Sequence, residues 1–227
     1  MFAVAERFDK AIEINSRPER LDPPLRLLQL ASPALPVGAY SYSQGLEAAI
    51  EAKIVFDSSS AETWIGDVLE FSVARMEAQV LRAQITAPSQ EMNDFFVATR
   101  ETAELRAETL QMGQALAKLL SDLGVEVLIE SPAYPTAYAL AVRHWRIEPR
   151  GAVLAYLWSW LENQVMAALK AVPLGQTAGQ KILLELGSRL ENLAEAELPE
   201  DSWSNFAPGL ALLSVRHETQ YSRLFRS

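Results

Sequence analysis

The chain has 227 residues, 20 Lys and Arg against 29 Asp and Glu (net charge −9), 49 % apolar residues, two histidines and no cysteine. That describes a globular protein able to bury roughly 70–75 % of its unfolded surface. Lack of cysteine excludes disulfides, thiolate metal sites and cysteine nucleophiles, and the acidic balance argues against nucleic acid and anionic membranes as partners.

Residues 1–24 read as a variable, loosely attached N-terminal arm. A short helix over Val4–Ile14 is compatible with the pattern, but Arg17, Pro18, Pro23 and Pro24 interrupt helical periodicity. The start, MFAVAERFDK, lacks the basic region and long apolar core of a secretion signal. No apolar run approaches the ~20 residues of a membrane span, so the cytoplasm is the expected compartment.

From Leu27 to Glu47 the sequence is LLQLASPALPVGAYSYSQGLE. Pro33 and Pro36 force an extended or turning path after a short helix. Gly38 permits a backbone angle closed to other residues. Ser41 or Ser43 is placed to cap a helix containing Leu46, Ala49 and Ile50. Tyr40 and Tyr42 are either packed turn residues or amphipathic anchors of the kind enriched at interfaces.

Ser60 is the expected N-cap of a helix with two stripes, one of Trp64, Val68 and Phe71, the other of Ile65, Leu69, Met76 and Val80. Glu101–Leu123 carries a stripe of Leu105, Met112, Leu116, Leu119 and Leu123, with an Arg100–Glu104 pair on its polar side. Val125–Ile129 alternates only briefly and is assigned to a loop or helix end. His144, beside Trp145, reads as a core or boundary histidine.

Pro149 fits the first turn of a helix running to about Lys170, apolar around most of its circumference and therefore the rod of a bundle. Lys170–Lys181, KAVPLGQTAGQK, lacks the register of a phosphate-binding loop and follows a helix, which makes it a helix-to-helix connection. Thr177 to about Leu198 is a further helix. The stretch from Glu185 to Asp201 has six acidic residues against Arg189 alone. The tail, residues 215–227, reverses the sign with Arg216, Arg223 and Arg226. It can fold back on the body or dock on a partner. Folded back, Arg223 would pair with carbonyls or carboxylates while Tyr221 and Phe225 are buried. His217, next to Glu218 and near Ser222, sits too close to a chain end for a rigid catalytic triad. With only 10 glycines and prolines falling between helical stretches, the fold class is all-α: a single-domain helical bundle with a buried central helix.

Four stretches at consistent spacing carry a resemblance: LLQLASPALPVGAYSYSQGLE, ETAELRAETLQMG, VPLGQTAGQ and RHETQYSRLFRS. Together they resemble the UreF family of urease accessory proteins over residues 25–227, a match that leaves the arm uncovered. Membership would imply a non-enzymatic, homodimeric all-α protein with no cofactor of its own. It would bridge UreD (also called UreH) and the GTPase UreG on apo-urease while nickel is delivered. A role in modulating GTP hydrolysis through an arginine is the alternative, and a helical binder of apolar ligands a third. The resemblance assigns partner recruitment to Tyr40 of PVGAY and positioning of the tail to Arg223 of YSRL. With them go Pro36, Gly38, Ser43, Gly45, Glu47, His217, Glu218 and Tyr221, which share those motifs. Poverty in cysteine and histidine makes the chain itself a poor nickel carrier.

Overall fold

The computed structural model describes residues 22–227, so the helix expected over Val4–Ile14 lies outside the described residues. Among the described residues, all regular structure is helical. Pro23 and Pro24, expected to interrupt a helix, instead open α1 (Pro23–Ala31), where a missing N–H costs no intrahelical bond. A 3-10 turn (Ala39–Ser41) and α2 (Leu46–Glu51) follow.

Helix α3 (Ser58–Val68), a π-helical stretch (Leu69–Glu77) and α4 (Ala78–Thr86) form one rod, because the residues at both junctions keep right-handed helical dihedrals. Ser60 is not its N-cap. Asp57 caps α3, accepting the Ser60 N–H at 2.8 Å while the Ser60 hydroxyl accepts the Asp57 N–H at 3.0 Å. The i→i+5 bonding of the π stretch widens the turn and rotates the residues within it out of α-helical register. Phe71, expected in a buried stripe, is accordingly 42 % exposed, whereas Ser72, Val73 and Met76 are buried.

Helices α5 (Gln90–Thr99), α6 (Ala103–Asp122) and α7 (Tyr134–His144) come next. Thr102 caps α6, its hydroxyl accepting the Leu105 N–H at 3.1 Å. Arg100 thus precedes α6, and the expected Arg100–Glu104 pair does not form. Arg100 is buried and donates to Glu77 at 2.9 Å, and the same carboxylate accepts from the Tyr156 hydroxyl at 2.7 Å. Removing one partner would strand a buried charge. Against α7, α6 comes so close that a Cβ at Gly113 would overlap the Pro132 carbonyl oxygen. Val125–Ile129 is irregular, as expected. His144, expected at the core or its boundary, is exposed in the last turn of α7.

Helix α8 (Pro149–Ala171) has Pro149 in its first turn, and the Glu148 carboxylate accepts the N–H groups of Arg150 at 2.8 Å and Gly151 at 2.6 Å. It packs against α9 (Gln176–Glu195) and also against α1, α2 and α4. Val153, Leu157, Leu161 and Val165 are buried, but Trp158 and Met166 are 37 % and 45 % exposed, so one ribbon of the helix stays open. A second 3-10 turn (Glu200–Ser202) leads to α10 (Pro208–Glu218), which packs on α2 and α6. This last contact brings the tail beside the turn that follows α1.

Candidate protein-docking site

The turn is built by backbone constraints. Ser32 ends α1 in an extended conformation, and its carbonyl accepts the Leu35 N–H at 2.9 Å. Gly38 sits at φ 76°, in the left-handed region that favours glycine, and opens the 3-10 turn. Pro36, just before it, is exposed. Tyr40 then stands at the crest, 67 % exposed. Tyr42 points inward instead and donates to Gln111 at 2.8 Å. Its burial, ahead of the opposing effect of Arg226, raises its pKa.

A second reversal at Gln44 (φ 51°) and Gly45 (φ 77°) starts α2. A Cβ on Gly45 would also crowd Leu210 of α10 at 3.1 Å. Gly45, not Ser41 or Ser43, is therefore the N-cap. Ser43 has a different task. Its hydroxyl donates to the Ser227 carbonyl at 2.6 Å and accepts the Glu47 N–H at 3.3 Å.

The last residues of the tail meet this turn, and its start meets α6. Glu47 accepts the N–H groups of Leu224 at 2.7 Å and Phe225 at 2.9 Å, and the Arg226 N–H donates to the Ser41 carbonyl at 2.7 Å. His217, fully buried, lies between two carboxylates: Nδ1 is 2.7 Å from Glu104 and Nε2 3.3 Å from Glu47. Arg223 donates to Glu104 at 2.6 Å and to the carbonyls of Gln220 and Glu218. Glu218 accepts the N–H groups of Ala103 at 3.0 Å and Glu104 at 3.3 Å, joining the tail to the first turn of α6. Phe225 is buried, as expected for a folded-back tail, but Tyr221 is fully exposed, because the bend held by Arg223 turns it outward.

Beneath the surface, Glu108 accepts from Gln44 Nε2 at 2.7 Å and from the Ser227 hydroxyl at 2.8 Å. Gln44 in turn accepts from the Trp160 indole at 2.7 Å. Burial, only partly offset by these two hydrogen bonds, raises the Glu108 pKa to about 7.

Tyr40, Ser41, Lys170, Leu224, Phe225 and Arg226 line an open groove of about 350 Å³. The Lys170 ammonium lies 5.9 Å from the Tyr40 ring and 5.8 Å from the Phe225 ring. An apolar groove of about 340 Å³, running from Leu30 and Pro33 to Met166, also shares Tyr40 and Lys170. Turn and tail are thus one surface: Tyr40 is at its crest, Tyr221 and Leu224 project from it, and Glu47, His217 and Arg223 fasten it. An exposed aromatic on a hydrogen-bonded base is suited to docking another protein. Among the described residues no group of three or more His, Cys, Asp and Glu is placed to hold a metal ion.

Sequence reasoning missed Glu104, Glu108 and Lys170. Glu104 was assigned to a helix-surface pair by spacing, and its real partners, His217 and Arg223, lie 113 and 119 positions away. No local pattern signals such a contact.

Comparison with known proteins gives this chain a set of relatives. The family model described as UreF matches residues 55–187. The chain is 54 % identical to the urease accessory protein UreF of Azoarcus sp. (strain BH72), over 90 % of this chain and 96 % of that protein. It is 53 % identical to that of Dechloromonas aromatica (strain RCB), over 89 % and 96 %. With that of Janthinobacterium sp. (strain Marseille) the identity is 49 %, over 89 % and 97 %.

Proposed function

The chain belongs to the UreF family of urease accessory proteins, and from that premise we propose that it is a non-enzymatic scaffold bridging UreD and the GTPase UreG on apo-urease during nickel delivery. It works in the cytoplasm as a homodimer and leaves metal coordination to its partners. The observation that supports this reading most is the fusion of the Tyr40 turn with the tail. Backbone hydrogen bonds from Arg226 to Ser41 and from Ser43 to Ser227 make two distant sequence motifs one surface. Tyr40 is the anchor offered to the GTPase, and Pro36, Gly38 and Gly45 shape the turn that carries it. Ser43, Glu47, His217, Glu218 and Arg223 hold the tail beneath it, and Tyr221 is a second exposed contact.

The alternative, in which Arg223 enters the GTPase site and speeds hydrolysis, is less favoured by geometry. Its guanidinium is already committed to Glu104 and two carbonyls, and an arginine finger must reach the transferring phosphate. A co-purification experiment tests the bridge. UreG is expected to co-purify with tagged UreD when this chain is present and not without it. Capture of UreG by UreD alone would remove the bridging role.

A further inference from the structure

The acidic run from Glu185 to Asp201 has no part in the surface described above, and its charges are treated unequally. Glu185 pairs with Arg189, Glu195 with Arg150 and Glu197 with Arg82. Glu200 and Asp201, like Glu191 on α9, have no Lys or Arg within ion-pair distance among the described residues. Both line an open groove of about 540 Å³, whose other walls are Glu91, Met92 and Phe95 of α5, with Ser89 before it, and Trp203. Glu91 likewise has no cationic partner among the described residues. No basic residue lines the groove.

The groove is held in shape. The Trp203 indole donates to the Leu198 carbonyl at 2.9 Å, and the ring packs with Met92 against the cluster of Met76, Val80 and Phe96. Asn205 donates to the Thr99 carbonyl at 2.6 Å, and the Ser204 N–H donates to the Arg75 carbonyl at 3.3 Å, which ties the far wall to α5 and to the π stretch. Phe95 is 45 % exposed on the facing wall. Carboxylates lining the same groove as aromatic and thioether side chains offer a cation two attractions at once, ion pairing and ring-face contact. A guanidinium or ammonium at the end of an apolar stem matches both.

We propose that this groove docks a segment of a partner protein that presents an arginine or lysine beside an apolar side chain. The groove takes the cation between Glu91, Glu200 and Asp201, and the stem lies on Phe95 and Trp203. This second interface does not depend on the Tyr40 surface.

Nuclear magnetic resonance on the full chain tests it, using the Trp203 indole N–H as reporter, assigned with Trp203→Phe. The probe is a synthetic peptide alternating arginine and leucine; its control replaces arginine by glutamate. The arginine peptide is expected to shift the Trp203 signal, with affinity that falls as salt is raised. Affinity should drop about tenfold or more in Glu200→Gln/Asp201→Asn, whose exposed positions leave folding unchanged. Tyr40→Ala should bind the peptide normally, which separates failure here from failure of the recruitment surface. An unmoved Trp203 signal, equal binding of the glutamate peptide, or undiminished binding by the double variant would overturn the proposal. So would a concentration-dependent shift without peptide, which would mean that a second copy covers the groove.

Discussion

Glu47 and Leu224 are separated by 177 positions and joined at 2.7 Å, the tail N–H donating to the carboxylate of α2. The same carboxylate accepts from Phe225 and faces His217. One side chain therefore satisfies two backbone donors of the folded-back tail, and leaving the buried one, at Phe225, unpaired would cost about 1–3 kcal/mol.

Replacing that side chain should release the tail without unfolding the body. In Glu47→Ala, amide hydrogen exchange at Leu224 and Phe225 is expected to rise toward unprotected rates while α8 stays protected. Continued protection at both amides would show that other contacts hold the tail.

Glu108 supplies a pH dependence. Its folded pKa of about 7 lies above the ordinary 4.5, so the folded state binds the proton more tightly than the unfolded chain. The contribution to stability is full below pH 4.5 and is lost as pH rises to about 7, a change of about 3 kcal/mol. Glu108→Gln keeps an acceptor for Gln44 and reverses the Ser227 bond, its amide N–H donating to the hydroxyl. Denaturant unfolding should show its stability falling less than that of the parent between pH 4.5 and 7. Parallel curves would place the Glu108 pKa near its ordinary value.

Gly113→Ala tests the contact between α6 and α7. Alanine ordinarily favours a helix interior by about 1 kcal/mol over glycine. Here its methyl would overlap the backbone of Pro132, so a net destabilisation of about 1–3 kcal/mol is expected by thermal or denaturant unfolding. A stabilised variant would mean that the two segments lie farther apart.

How much of this was legible in the sequence differs by the range of the interaction. Helical periodicity and proline placement locate α8 and α9, because both signals act within a few residues. Capping chemistry brought the start of α3 within three positions but chose Ser60 over Asp57, since either residue type can cap. The π stretch left no composition signal, and it misplaced Phe71. The turn was readable from Gly38 and the prolines, and a tail able to fold back from its reversed charge, but nothing in the sequence joined the two. Glu47, Glu104 and Glu108 reach partners 64 to 178 positions away. Each reads locally as an ordinary polar helix residue, which is why their roles emerge only from the fold.

The central claim is that the Tyr40 turn and the Arg223-held tail form one recruitment surface for UreG. It is tested most directly by purifying the complex of this chain with UreD and measuring UreG retained by Tyr40→Ala and by Arg223→Ala. Both variants are expected to keep the helical circular dichroism spectrum and UreD, yet lose UreG, since truncating a hot-spot side chain costs about 2 kcal/mol or more of binding. Full retention of UreG by both variants would contradict the claim.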